Sequence, residues 1–448
     1  MHDSMGKLWS IVKKIKSKKG KTMQEALKTF MEISKIPHGS GNTQELKEWI
    51  MQRAKNYGAE IFSDKAGNIL ARKGNAKLCL QCHYDMVMVG SDEVKPEIVQ
   101  KEGKSFLQAK DSSLGADNGA ALACAIEALK VSQDLECLFT NDEEIGMLGA
   151  VDLDLEIHAP FILNCDSEDI NEIVCSCAGG YDLEAKISLK KVEISKGYLC
   201  YEITTQGFCG GHSGIEIHKN IPNAIIELVK SAEKLNGILI SFSGGEKRNS
   251  IPVNAKMILA LPQEKALNLD ERFLYKRVEN FKCGYESKNL FKAILQVKNG
   301  VIKEQNSEVI VSSNLGIIEQ KDSLFSLFFM GRGNVENLMQ SNLNETQSFL
   351  EKLAFKTESS AYYAPWEREY GEFLQKVTKI FKKHNPKAEL KNIHAGLECG
   401  ILKQKFPKKE FVSIGPSIFH PHSIKEKMDL ESFCKFNHIL ADILKESF

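Results

Sequence analysis

The chain has 448 residues, beyond the size at which one hydrophobic core keeps growing, so two domains are the default. Apolar residues make up 42% and charged residues 26%, which excludes a mostly disordered chain. Lys+Arg and Asp+Glu both number 59 and only seven of the cations are arginine, so neither nucleic acid nor an anionic membrane is an expected partner.

The first twenty residues hold Lys7, Lys13, Lys14, Lys16, Lys18 and Lys19 around a short apolar run, 8–12. That run is too short for a signal sequence and no small-residue cleavage site follows, so a solvated arm is expected. No stretch approaches the roughly 18–20 apolar residues that span a bilayer. Twelve scattered cysteines read as reduced thiols, and the expected location is cytoplasmic.

Two helical patterns occupy 23–57: Ala26, Leu27, Phe30, Met31 and Ile33 recur at helical spacing before Pro37, and a second run follows 39–42. Strands are expected at 60–63, 68–72 and 77–82, a helix at 118–131, and further strands at 135–140 and 161–165. Strands alternating with helices predict an α/β fold: a mixed, largely parallel sheet with helices on both faces. From about 182 to 362 the pattern becomes α+β. Strand-like runs lie at 198–205, 251–261, 291–297, 309–315 and 324–330, with helices near 221–235, 264–280 and 335–354. After Pro365 the α/β pattern resumes with helix 368–384, strand 410–414 and helix 429–446. The expected organisation is a discontinuous α/β domain, 1–185 and 366–448, around an inserted α+β domain, 186–365.

Polar residues cluster at five strand or loop ends: His83-Tyr84-Asp85, Gly115-Ala116-Asp117-Asn118-Gly119, Asn141-Asp142-Glu143-Glu144-Ile145-Gly146, Asn164-Cys165-Asp166-Ser167-Glu168 and His420-Pro421-His422-Ser423. Parallel sheets place chemistry at such carboxyl ends. Residues i and i+2 of a strand share a face, so His83 and Asp85 project together, as an imidazole and the carboxylate that orients it for a metal. A lone acid at a strand end is usually a cap or a solvated charge. Two histidines with several acids in one α/β frame instead supply ligands suited to zinc, manganese or cobalt. Glu143 and Glu144 repel unless a cation relieves them, and one can then ligate while its neighbour remains a base. Cys79-Leu80-Gln81-Cys82-His83 also fits the haem-attachment pattern C-x-x-C-H, but thiols at i and i+3 of a strand point to opposite faces, and buried strand cysteines are the better reading.

The ordered set resembles the bacterial aminoacyl-histidine dipeptidases of the PepD type, within the co-catalytic zinc peptidase superfamily that includes carnosinases. The stretches that carry the resemblance are 81–87, 114–120, 140–150, 164–168, 210–218, 247–252, 394–400 and 415–423. The resemblance implies a two-metal catalytic domain with an inserted lid. It implies that His83 and Asp166 bind one metal, Glu144 and His422 the other, and that Asp117 bridges both. Asp85 would clamp His83, Glu143 would be the general base, and His212 of the lid would stabilise the oxyanion. Glu398, in His394-Ala395-Gly396-Leu397-Glu398-Cys399-Gly400, matches the acid near the substrate's amino group, while Asn249 and Arg332 match lid groups that hold its carboxylate. Arg332 stands in Met330-Gly331-Arg332-Gly333-Asn334, where relatives show Arg-Ser-Ser.

The implied activity is hydrolysis of dipeptides with a free amino terminus, Xaa-His or a broader set, through a water activated by two divalent ions. Zinc is the expected metal, with cobalt or manganese as alternatives. An N-acyl amino acid deacylase or carboxypeptidase-like hydrolase on the same scaffold is the runner-up, and Glu398 argues against it. A small peptide is the expected partner, and a homodimer is left open. Relatives also hold the peptide bond after the bridging aspartate cis, so a cis Asp117–Asn118 bond is expected.

Overall fold

The computed structural model describes residues 20–262 and 269–448. The lysine-rich arm and residues 264–268 of the helix expected over 264–280 lie outside the described residues. Two compact units divide the chain. The first comprises the chain up to Ser176 with Arg368–Asn392 and Leu397–Phe448, and the second comprises Cys177–Glu367 with Ile393–Gly396.

An eight-stranded sheet organises the first unit, in the order Glu60–Ser63, Ile69–Lys73, Leu135–Thr140, Leu78–His83, Phe161–Asn164, Glu410–Ser413, Glu172–Cys177 and Glu389–Ile393. The four middle strands run parallel, and antiparallel pairs flank them on either side. Leu78, Leu80 and Cys82, with Leu135, Cys137 and Phe139, face the main core. Helices Gly20–Ile33, Gln44–Asn56, Ala116–Val131, Glu372–His384 and Leu430–Ile443 pack there through residues such as Phe30, Ile50, Leu122, Phe381 and Phe436. Each fully buried large apolar side chain contributes about 1.5–3 kcal/mol. The other face carries the alternate residues, including Gln81 and Thr140, and helix Glu398–Lys405 lies against it, since Glu398 bonds both. Cys82 belongs to the main core and Cys79 does not, so the two thiols point apart as strand geometry requires.

Because the middle strands are parallel, His83, Thr140, Asn164 and Ser413 all finish at one edge of the sheet. A second, four-stranded antiparallel sheet in the same unit pairs Ile418–Phe419 with Lys427–Asp429, which in turn pairs with Lys104–Ala109. His422 therefore sits in the loop of a short hairpin.

The second unit is an eleven-stranded sheet built around the antiparallel pair Glu308–Lys321 and Leu324–Gly333. Helices Ala224–Leu235, Lys288–Gln296 and Glu336–Lys352 share one core with alternate strand residues such as Leu183, Ala185 and Ile187, an α+β arrangement. Strand Gly179–Ser188 pairs along its whole length with Leu324–Gly333, which carries residues 177–185 into this unit.

Two elements differ from the sequence reading. The run 291–297 is helical, part of Lys288–Gln296, because Leu290, Phe291, Ala293, Ile294 and Val297 are buried at the spacing of a helix rather than in alternation. Within 264–280, Phe273–Val278 is a strand at the edge of the sheet, paired among the described residues with Tyr198–Thr205 alone. An edge strand is held by its backbone, and four exposed side chains in a row, Leu274, Tyr275, Lys276 and Arg277, carry no alternating signal.

Candidate metal centre

Each parallel strand delivers its polar group at the same edge. His83 is the last residue of Leu78–His83, Glu143 and Glu144 follow Leu135–Thr140, and Asp166 follows Phe161–Asn164. Asp117 enters from the first turn of helix Ala116–Val131, and the Asp117–Asn118 peptide is cis, as expected. His422 comes from the hairpin loop, with φ +56°.

The two oxygens of Asp117 face two different histidines. His83 Nε2 lies 3.3 Å from Asp117 Oδ1, and His422 Nε2 lies 3.1 Å from Asp117 Oδ2. Each histidine has a second carboxylate: Asp166 Oδ1 is 3.3 Å from His83 Nε2, and Glu144 Oε2 is 2.9 Å from His422 Nε2. The ligand atoms of His83, Asp117 and Asp166 lie within 4.8 Å of one another, as do those of Asp117, Glu144 and His422. Two three-ligand sets sharing one carboxylate is the arrangement a pair of cations needs.

Electrostatics points the same way. Burial pushes the carboxyls of Glu143, Glu168 and Asp166 up, and neighbouring acids add to it. Burial also pushes Glu144 up to about 7. Burial opposes the Asp117 anion too, but hydrogen bonds from His422 and His83 outweigh it and hold that carboxyl well below its ordinary range. His422 loses some charge stability to burial, yet Asp117 and Glu144 hold it up to about 11. Glu144 Oε1 is buried without a hydrogen-bond partner. Crowded carboxyls, an orphaned buried oxygen and imidazole nitrogens together fit divalent cations of the zinc, cobalt or manganese kind.

Asp85 performs two tasks. His83 Nδ1 donates to the Asp85 backbone carbonyl at 3.0 Å, with the Asp85 carboxylate 3.5 Å away. A carbonyl can only accept, so the proton is fixed on Nδ1 and the Nε2 lone pair is left for a metal. The Asp85 carboxylate accepts the backbone N–H groups of Glu143 (3.0 Å) and Glu144 (3.3 Å) and the Ser40 hydroxyl (2.7 Å), which fixes the acidic turn.

Glu398 ends a chain of buried side chains that crosses the four parallel strands. Ser413 Oγ donates to Asn164 Oδ1 (2.5 Å), Asn164 Nδ2 to Gln81 Oε1 (2.5 Å), and Gln81 Nε2 to Glu398 Oε2 (2.5 Å). Thr140 Oγ1 donates to the same Glu398 oxygen at 2.7 Å. Glu398 is 0% exposed, burial pushes its carboxyl up to about 7, and its Oε1 has no hydrogen-bond partner among the described residues.

The second unit gathers His212 and Arg332 around Gly214. A Cβ at 214 would lie 3.1 Å from His212 Cε1, 3.0 Å from Arg332 Nε and 2.4 Å from the His394 carbonyl, so glycine is required there. His212 Nδ1 accepts the N–H groups of Gly214 (3.2 Å) and Ile215 (3.1 Å), which fixes its proton on Nε2 as a donor. Arg332 is 4% exposed and forms no ion pair among the described residues; Nη1 reaches the Tyr363 hydroxyl at 3.3 Å, and Nε has no partner. A Cβ at Gly333 would lie 2.6 Å from Met339 Cβ, so glycine is favoured there. Asn249 is exposed, and its backbone carbonyl accepts from Ser213 beside His212.

The family model for peptidase family M20/M25/M40 matches residues 79–446, which spans the whole candidate centre. The chain belongs to the M20/M25/M40 peptidase family. This M20 peptidase is 31% identical to the cytosol non-specific dipeptidase of Escherichia coli, with 93% of this chain and 96% of that protein covered. It matches the aminoacylhistidine dipeptidase structure from Vibrio alginolyticus with a TM-score of 0.77 at 27% identity, covering 94% of this chain and 96% of that one. A tripeptidase from Staphylococcus aureus shares the fold at TM-score 0.62 and 18% identity, covering 94% of this chain and 98% of that one. The resemblance drawn from the motifs is borne out.

Sequence reasoning about this M20 peptidase missed several supporting residues. Asn118 Nδ2 donates to Asp166 Oδ1 at 2.7 Å, and Gln81 and Thr140 aim Glu398. Gln81 and Thr140 could have been found, since each stands at or near the end of an apolar strand that leads into an acidic or histidine turn.

Proposed function

We propose that this peptidase hydrolyses dipeptides bearing a free amino terminus, with His83 and Asp166 holding one divalent cation, Glu144 and His422 a second, and Asp117 both. The observation that carries this reading is Asp117 presenting one oxygen to each histidine. Zinc suits the donor set best, with cobalt or manganese as alternatives. When bound, such a pair lowers the pKa of a water and polarises the scissile carbonyl. Glu143 then takes the water's proton and passes it to the leaving amine, a role suited to a carboxyl raised by burial. His212 donates from Nε2 to the oxygen on which charge develops.

Glu398 reads the substrate's ammonium group, because a buried carboxylate with one unpartnered oxygen favours a cation over an acylated amine. This disfavours the deacylase reading. Arg332, a buried guanidinium without an anion, and Asn249 read the carboxylate. In this reading the first unit is the catalytic domain and the second the lid. Among the described residues none of the twelve cysteines is in a disulfide, and no helix is long and apolar enough to cross a membrane. A relative named as cytosolic supports a cytoplasmic location as part of this reading.

The test is a substrate panel on protein stripped by a chelator and then reloaded. Cleavage of free-amine dipeptides should vanish on stripping and return with zinc, cobalt or manganese, while N-acetyl dipeptides and long peptides stay intact. Full activity after exhaustive stripping would sink the mechanism, and efficient cleavage of N-acetyl substrates would sink the specificity.

A further inference from the structure

In helix Ala116–Val131 the backbone leaves the helical path at Asp117 (φ −85°, ψ 105°) and Asn118 (φ −110°, ψ 23°), so the N–H groups of the turn before this kink need acceptors from elsewhere in the chain. The acceptor is Glu426, more than three hundred residues further along the chain. Glu426 Oε2 accepts the N–H groups of Leu114 (2.7 Å) and Gly115 (3.0 Å), and Oε1 those of Ala116 (2.8 Å) and Asp117 (3.3 Å). Its side chain is buried, with the residue only 2% exposed. Four convergent backbone donors stabilise the carboxylate and fix its orientation.

Glu426 also closes the loop that carries His422. That loop runs between Phe419 and Lys427, which pair across the hairpin, and the Glu426 N–H bonds the Ser423 carbonyl at 3.0 Å. One end of the loop meets Asp117 through His422, and the other meets the Asp117 turn through Glu426. Both contacts lie within the first unit.

We propose that Glu426 is a positioning residue of the metal centre, fixing the shared ligand Asp117 and the hairpin ligand His422 in one frame. The inference rests on the two-cation reading above. Replacing carboxylate by amide turns one acceptor into a donor that faces two backbone N–H groups. Groups that orient metal ligands are worth about 10–100-fold in metal affinity.

Glu136 provides a matched control. It is buried, accepts the backbone N–H groups of His158 (3.0 Å) and Ala159 (2.8 Å), and stands at the opposite end of strand Leu135–Thr140 from the centre. Zinc affinity and stoichiometry should be measured by competition with a chromogenic chelator, alongside thermal unfolding, for wild type, Glu426→Gln, Glu426→Asp and Glu136→Gln. The expected result is two zinc ions in the wild type, binding weakened about 10–100-fold in Glu426→Gln, and wild-type affinity in Glu136→Gln despite lowered thermal stability. Should Glu426→Gln fail to fold, Glu426→Asp keeps the charge but is one methylene short, and weaker zinc binding by the folded protein is expected. Wild-type zinc affinity in either folded Glu426 variant overturns the proposal. A wild type that binds no zinc, cobalt or manganese overturns the two-cation reading itself, a separate failure.

Discussion

Glu143→Ala is expected to lower kcat by on the order of 10²–10⁴-fold while retaining both cations. The backbone of the acidic turn is held from outside the side chain, by Asp85 accepting the N–H groups of Glu143 and Glu144. Truncating Glu143 therefore removes a proton acceptor without moving Glu144. Asp117→Ala should do the reverse and empty the centre, since one carboxylate faces both histidines. Metal analysis beside steady-state kinetics separates the two. Near-normal turnover by Glu143→Ala would remove it as base, and two tightly held cations in Asp117→Ala would remove the bridge.

His212→Ala should lower kcat by about 10²–10³-fold, the usual effect of deleting one oxyanion donor. Every proposed metal ligand belongs to the first unit and His212 to the second, so metal content should stay at the wild-type level. Because the donor acts on charge that develops during reaction, KM should change far less than kcat. The fixed tautomer strengthens the case, as two backbone N–H groups occupy Nδ1 and keep the proton on Nε2. A variant as fast as the wild type would show that His212 stabilises nothing in the transition state.

The α/β half was legible where strands are buried on both faces. Runs such as Leu135–Thr140 are wholly buried, and their polar successors mark the edge at which they end. The turn at Asp117 and the acid pair were visible for the same reason. The lid was less legible. Its edge strand Phe273–Val278 exposes Leu274 and Tyr275 beside Lys276 and Arg277, without alternation, and the short helix Lys288–Gln296 has too few turns for its period to stand out from a strand. Glu426 was invisible as a partner of Gly115 because no local pattern links an acceptor to a turn three hundred residues away. Burial also cannot be read from a sequence: nothing in Met330-Gly331-Arg332 announces that the arginine lies under cover without an anion.

The chain of donors that ends at Glu398 has a bearing on how this enzyme can change. Gln81 and Thr140 donate to the Glu398 carboxylate directly, while Asn164 donates to Gln81 and Ser413 to Asn164, so four neighbouring strands support one carboxylate. An apolar residue at 398 would remove the acceptor that Gln81 and Thr140 share, leaving only the longer bonds from Gln81 Nε2 to Thr140 Oγ1 (3.2 Å) and from Thr140 Oγ1 to the Cys82 carbonyl (3.4 Å), a loss of about 0.5–1.5 kcal/mol per bond. On the proposed role of Glu398 in reading the ammonium group, a switch from charged to blocked amino groups favours replacements at 81 and 140 together with 398. Single substitutions along that route pass through less stable proteins, which makes the end-group preference resistant to drift. Directed evolution toward acylated substrates should accordingly yield multiple changes clustered on this strand face before it yields a lone exchange at 398.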